Sequence, residues 1–113
     1  MVNLSHLDLT EIWQRACRAS HERHRYCDRG DFHTAAQYGI LKARLITHVF
    51  RLAPPNDIDI SLQWWKSGFC VSITFRRSSL HLPGQYAKLF NLDTRVAQLR
   101  PEIKVRSQWR KST

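Results

Sequence analysis

Residues 58–75 read IDISLQWWKSGFCVSITF. Ile58, Ile60, Leu62 and Trp64 alternate with Asp59, Ser61, Gln63 and Trp65. After Lys66, Ser67 and Gly68, a second run places Phe69, Val71, Ile73 and Phe75 against Cys70, Ser72, Thr74 and Arg76. Side chains in a strand point alternately to opposite faces, so each run has one apolar and one polar face. Two such runs around a short glycine-containing turn predict an antiparallel β-hairpin.

Upstream, Ala53-Pro54-Pro55-Asn56-Asp57 must stop any helix, because proline lacks an N–H and its ring clashes with the preceding turn. The region before it reads as two helices. Asp8 or Thr10 can cap the first, with Glu11 favourably placed in its first turn. Leu9, Trp13, Ala16, Ser20, His24 and Cys27 recur at helical spacing and predict its buried stripe. Gly30 stops it, and Asp31 or Thr34 caps a second helix running to about Leu52. That helix carries Ala35, Ala36, Gly39, Ile40, Ala43, Ile46, Val49 and Phe50, flanked by Tyr38, Leu41, Leu45 and Leu52. So broad an apolar surface predicts cover on two sides. The small residues Ala16, Ser20, Ala35, Gly39 and Ala43 predict close antiparallel packing of the two helices, with the second also lying on the sheet.

Downstream, Leu80-His81-Leu82 extends the sheet before Pro83-Gly84 turns the chain. Tyr86, Leu89 and Phe90 predict a short helix, and Asp93 caps a further turn bearing Val96 and Leu99. After Pro101, Ile103, Val105 and Trp109 share one parity while Lys104, Arg106, Gln108 and Arg110 share the other. This predicts a third strand, whose place in the sheet the pattern leaves open. The expected fold is α+β in the order α-α-β-β-α-β, a two-layer domain with an N-terminal antiparallel helical hairpin packed on a small antiparallel sheet. A chain of 113 residues is expected to form one domain, with residues 1–53 the helical hairpin and 57–113 the β-hairpin, short helices and basic C-terminal strand.

Composition narrows the function. Apolar residues at 42% and aromatics at 11% suit a globular core and exclude a disordered chain. No apolar run approaches the ~20 residues that span a bilayer, and the N-terminus lacks a secretory pattern. Three cysteines without framework spacing fit a reduced, cytoplasmic setting. The net charge is +9, and residues 76–113 hold nine basic against two acidic side chains. Charge concentrated in one third of a small chain makes a one-sided field suited to a polyanion.

Several constellations can carry chemistry. Cys17, His21, His24 and Cys27 share one helical arc, but they span nearly three turns, or ~15 Å, too long for one zinc ion. At most two neighbours can share an ion, with help from His33 or Cys70, so the expectation is a structural stripe and no metal. Asp57 and Asp59 can hold magnesium only with a third acid, for which Glu102 and Asp93 are the available candidates. A metal-free ribonuclease would draw on His81, Arg76, Arg77, Tyr86, Lys104 and Arg106. No glycine-rich phosphate loop is present, and no cofactor is expected.

The basic face is the preferred site: Arg76, Arg77, Lys104, Arg106, Arg110 and Lys111 as phosphate contacts, with Trp65 beside Lys66 as a stacking platform. The same Lys and Arg residues on an edge strand also deter sheet-to-sheet aggregation. The expected function is a small non-catalytic module binding RNA or single-stranded DNA. The basic residues lie on predicted strands beside aromatics, not on a recognition helix for a major groove. The alternative is an adaptor or inhibitor whose positive face meets an acidic protein and whose helical hairpin, through Tyr38, Leu41, Leu45, His48 and Leu52, forms a homo- or heterodimer.

Overall fold

The computed structural model describes residues 8–66 and 68–109. Arg110 and Lys111 lie outside the described residues. The chain divides into two compact units, Met1–Leu52 and Ala53–Thr113.

The first unit is a helical hairpin of α1 (Leu9–Asp28) and α2 (Phe32–Leu52). Asp8 caps α1, its Oδ1 accepting from the Thr10 N–H at 2.6 Å. Gly30 adopts φ +78°, a left-handed conformation that glycine reaches without a Cβ penalty. There the Gly30 and Asp31 N–H groups donate to the Cys27 and Tyr26 carbonyls and close off α1. Asp31 then starts α2, its carboxylate accepting from both the Thr34 N–H (3.1 Å) and the Thr34 hydroxyl (2.8 Å). These hydrogen bonds hold the Asp31 carboxyl below its ordinary range.

The helices run antiparallel, with Tyr26 stacked on Tyr38 at 5.6 Å between ring centroids. Ala16, Ala19, Ala35, Gly39 and Ala43 are buried, as close backbone approach requires. The buried residues of α1 are Ile12, Trp13, Ala16 and Ala19. The stripe predicted to continue through Ser20, His24 and Cys27 therefore leaves the core: Ser20 and Cys27 are half-buried and His24 is exposed. The stripe averages 3.6 residues per step and so keeps one face of the helix, but burial on α1 ends at Ala19, and Phe32 at the start of α2 is likewise exposed, at 68%. On α2, Ile40 and Leu52 are exposed at 38% and 59%.

Lys42 is buried at 3% exposure. Desolvation pushes its ammonium down from 10.5 to about 8, the Arg23 guanidinium adds repulsion, and Cys17 acts in the opposite sense.

The second unit is a four-stranded sheet in the order β3-β2-β1-β4. It comprises β1 (Ile58–Trp65), β2 (Gly68–Phe75), β3 (Ser78–Pro83) and β4 (Lys104–Trp109). β1 and β2 form the predicted hairpin, in register from Ile58↔Phe75 to Trp65↔Gly68. β3 is a full strand, antiparallel to β2. The short helices α3 (Gly84–Leu89) and α4 (Val96–Leu99) carry the chain across to β4, which pairs parallel with β1. The sheet is mixed and not wholly antiparallel. With β3 antiparallel to β2, the chain leaves β3 at the far end from where β1 begins. The α3–α4 crossover returns it, so β4 must run alongside β1 in the same direction.

Ile58, Ile60, Leu62, Val71, Ile73, Phe75, Leu80 and Leu82 form the buried face of the sheet, joined in the core by Ala87, Leu92, Val96 and Ile103. Each fully buried aliphatic or Phe side chain contributes about 1.5–3 kcal/mol. A Cβ at Gly84 would lie 2.8 Å from the Phe69 carbonyl oxygen, so only glycine lets α3 start this close to β2. Arg100 fixes the end of the crossover: Nη1 donates to the Ala53 carbonyl at 2.7 Å and Nε to Glu102 at 2.7 Å.

The Lys42 charge costs stability below the folded value of about 8, where both states are protonated, and the cost is relieved as pH rises towards 10.5. Urea unfolding of wild type and Lys42→Met is expected to show a gap, favouring the variant at pH 7, that shifts towards wild type by about 1–3 kcal/mol by pH 10.5. A gap that does not change with pH would show that Lys42 is charged in the fold without cost.

Candidate functional site

Register places the polar parity of all four strands on one face. β3 contributes Ser79, His81 and Pro83; β2 contributes Thr74, Ser72 and Cys70; β1 contributes Asp59, Ser61, Gln63 and Trp65; β4 contributes Lys104, Arg106 and Gln108. The result is a surface of hydroxyls and amides with cations along one edge. Two internal hydrogen bonds order it: Thr74 with Ser79 between hydroxyls at 2.6 Å, and the Cys70 thiol donating to Gln63 Oε1 at 3.7 Å. At its centre is a shallow depression of about 230 Å³ lined by Asp59, Ser61, Gln63, Ser72, Thr74, Arg106 and Gln108.

The positive charge of residues 76–109 divides into committed and uncommitted groups. Arg95 is tied to Asp93 (2.9 Å) and Arg100 to Glu102 (2.7 Å). Hydrogen bonding from Arg95 holds the Asp93 carboxyl below its ordinary range. Arg76 pairs with Asp57 at 3.2 Å and lies over the Phe75 ring at 4.7 Å. A pair this exposed contributes about 0–1 kcal/mol. Among the described residues of this stretch, Arg77, Lys88, Lys104 and Arg106 enter no ion pair, and all four are exposed; Lys88 lies on α3 and not on a strand. Lys104 sits opposite Asp59 and Arg106 opposite Ser61.

Arg76 and Arg77 are not strand residues. They form the two-residue connection between β2 and β3, at φ 48° and 74°. A two-residue hairpin turn of this hand needs positive φ at both positions, which Asn-Gly satisfies and arginine does not. Strain of this kind costs on the order of 1 kcal/mol per residue.

Trp65 is half-buried on the polar parity, and Lys66 follows in the exposed β1–β2 connection. They lie at the opposite end of β1 from Asp59 and Lys104, about 20 Å away by strand rise. Trp109 shares the apolar parity of Ile103 and Val105, yet it is 69% exposed. It sits beside Trp64 in the register, and Trp64 packs on Phe69 at 4.5 Å. This aromatic row across one sheet end is not legible in the sequence, because parity alone does not reveal where an edge strand outruns its cover.

The other constellations separate. His81 is on the β3 edge and Arg106 on the β4 edge, three strand spacings or about 14 Å apart, so the acid–base group and the free cations of a ribonuclease set do not converge. Tyr86 is on α3. Asp57 is engaged by Arg76 while Asp59 faces the depression. Among the described residues, no group of three or more His, Cys, Asp or Glu side chains is placed to hold a metal ion. None of their helices is long and apolar enough to cross a membrane.

A second groove, about 240 Å³, lies on the helical hairpin, with Ala19, Tyr38, Leu41 and Leu45 among its walls and Arg15, Arg18 and Glu22 as its charged members.

Comparison with family models, with curated proteins and with solved structures finds no match.

The strained turn makes a prediction. Replacing Arg76-Arg77 by Asn-Gly is expected to raise stability to urea by about 1 kcal/mol, despite loss of the Asp57 pair. A destabilised double variant would show that the Arg76 interactions outweigh the strain.

Proposed function

We propose that the polar face of the sheet binds single-stranded nucleic acid, RNA or DNA, without catalysis. The observation that supports this reading is the pair of uncommitted cations, Lys104 and Arg106, at the edge of an open hydroxyl- and amide-rich face. Lys104, Arg106 and Arg77 contact phosphates, and Arg76 contributes when its Asp57 pair opens. Arg110 and Lys111 extend the same run of charge in the sequence. Trp65 and Lys66, ~20 Å along β1, serve as the far contact, the ring stacking on an unpaired base. An extended strand suits a flat face better than a duplex does, since the free cations lie on a sheet and not on a helix that fits a groove. The three free cysteines are in keeping with a reduced, cytoplasmic setting.

A second reading rests on the hairpin groove, whose apolar walls Tyr38, Leu41 and Leu45 and neighbouring Arg15 and Arg18 suit an amphipathic acidic segment of a partner or a second copy of the chain.

The first reading is tested by fluorescence anisotropy with labelled single-stranded RNA, single-stranded DNA and duplex DNA across a salt series. Wild type is expected to prefer the single strands and to lose affinity steeply with salt. Lys104→Ser with Arg106→Ser is expected to flatten the log–log salt slope by about 1.4, roughly 0.7 for each phosphate of a single strand that is no longer neutralised. An unchanged slope, or no binding at moderate salt, would transfer the charge to edge protection and favour the protein partner.

A further inference from the structure

The geometry points to an unpaired guanine as the base held in the central depression, with Asp59 and Arg106 as its specificity-determining residues; this rests on the nucleic-acid reading above. Asp59 and Arg106 are diagonal neighbours on one face, since Asp59 pairs with Lys104 and Ser61 with Arg106. From strand spacing and rise, their Cα atoms are about 8 Å apart. One supplies only acceptors and the other only donors. Neither is engaged by an ion pair among the described residues, and both line the same depression. The remaining walls, Ser61, Gln63, Ser72, Thr74 and Gln108, are neutral hydrogen-bonding groups with no apolar side chain among them.

A base that satisfies both charged groups needs two adjacent donors on one edge and two adjacent acceptors on the next. Guanine has them: N1–H and the N2 amino group for a carboxylate, O6 and N7 for a guanidinium. Adenine offers one amino donor between its acceptors, cytosine one amino donor, and uracil a single N–H, so each leaves one charged partner half-satisfied. Each bidentate pairing discriminates by roughly tenfold or more. In a duplex the N1–H and N2 donors are occupied by the complementary cytosine, so the same arrangement selects an unpaired strand.

The test is anisotropy with a ten-residue oligouridine and the same strand carrying one central guanosine or one central inosine, which lacks the N2 amino group. Wild type is expected to bind the guanosine strand about tenfold tighter than oligouridine, with inosine, which keeps O6 and N7 for Arg106 but has a single donor for Asp59, falling between the two. Asp59→Asn, similar in shape and one charge less negative, is expected to move the two strands in opposite directions: weaker on the guanosine strand, equal or tighter on oligouridine. Tightening on both strands alike would mean that Asp59 only repels phosphate, which overturns the inference and leaves the binding reading standing. Equal wild-type affinity for all three strands would also overturn it. Absence of binding to every strand would remove the nucleic-acid reading and this inference together.

Discussion

The parallel pairing of β4 with β1 is the constraint on which the candidate site depends. Without it, Asp59, Ser61 and Gln63 would line a bare sheet edge, and Lys104 and Arg106 would belong to a loose segment. With it, the two cations stand beside the hydroxyls and amides of β1 and β2, and the face acquires both charge and hydrogen-bonding groups. Parallel pairing requires a crossover. The chain supplies one through α3 and α4, buried at Ala87, Leu92 and Val96. Arg100 closes it by grasping the Ala53 carbonyl just upstream of β1. A charge-assisted hydrogen bond of this kind is stronger than a neutral one, and it ties the end of the crossover to the chain before β1.

The basic charge of the second unit thus has two uses. Arg95 and Arg100 hold the crossover together through Asp93 and Glu102. Arg77, Lys104 and Arg106 remain exposed, and Arg76 is only loosely engaged by Asp57. The fold also tolerates features that stability alone would not favour. Two arginines occupy a turn that asks for Asn-Gly, and Lys42 is buried where its charge is disfavoured. The first of these lies at the same sheet end as Lys104.

Much of this is legible in the residues. The β1–β2 hairpin follows from alternation and its turn, and both helix starts follow from Asp8 and Asp31 acting as side-chain caps. These are local signals, carried by neighbours in the chain. The position of β4 is not legible, because its partner is some 45 residues upstream and the pattern of Lys104 to Trp109 suits either direction of pairing. Ser78–Pro83 reads only as an extension of the sheet, since six residues with Ser, Ser and Pro carry a weak strand signal. The Arg-Arg turn runs against turn chemistry, so it resembles a strand end. In α1, the predicted stripe fails at Ser20, His24 and Cys27 because periodicity identifies which residues share a face, not how far along the helix that face is covered. At the site, parity alone identifies Lys104, Arg106 and Trp65, whereas Asp59, Ser61, Gln63, Ser72, Thr74 and Gln108 emerge only once the register places three strands side by side.

The most direct measurement is a two-dimensional amide and side-chain NH₂ NMR titration of the protein with a short single-stranded RNA. The largest shift changes are expected on Ser61, Gln63, Ser72, Thr74, Arg106 and Gln108, with the Gln63 and Gln108 side-chain amides among them, while α1 and α2 stay largely unmoved. Changes confined to the helical hairpin, or none at saturating RNA, would contradict the assignment of the polar sheet face as the binding surface.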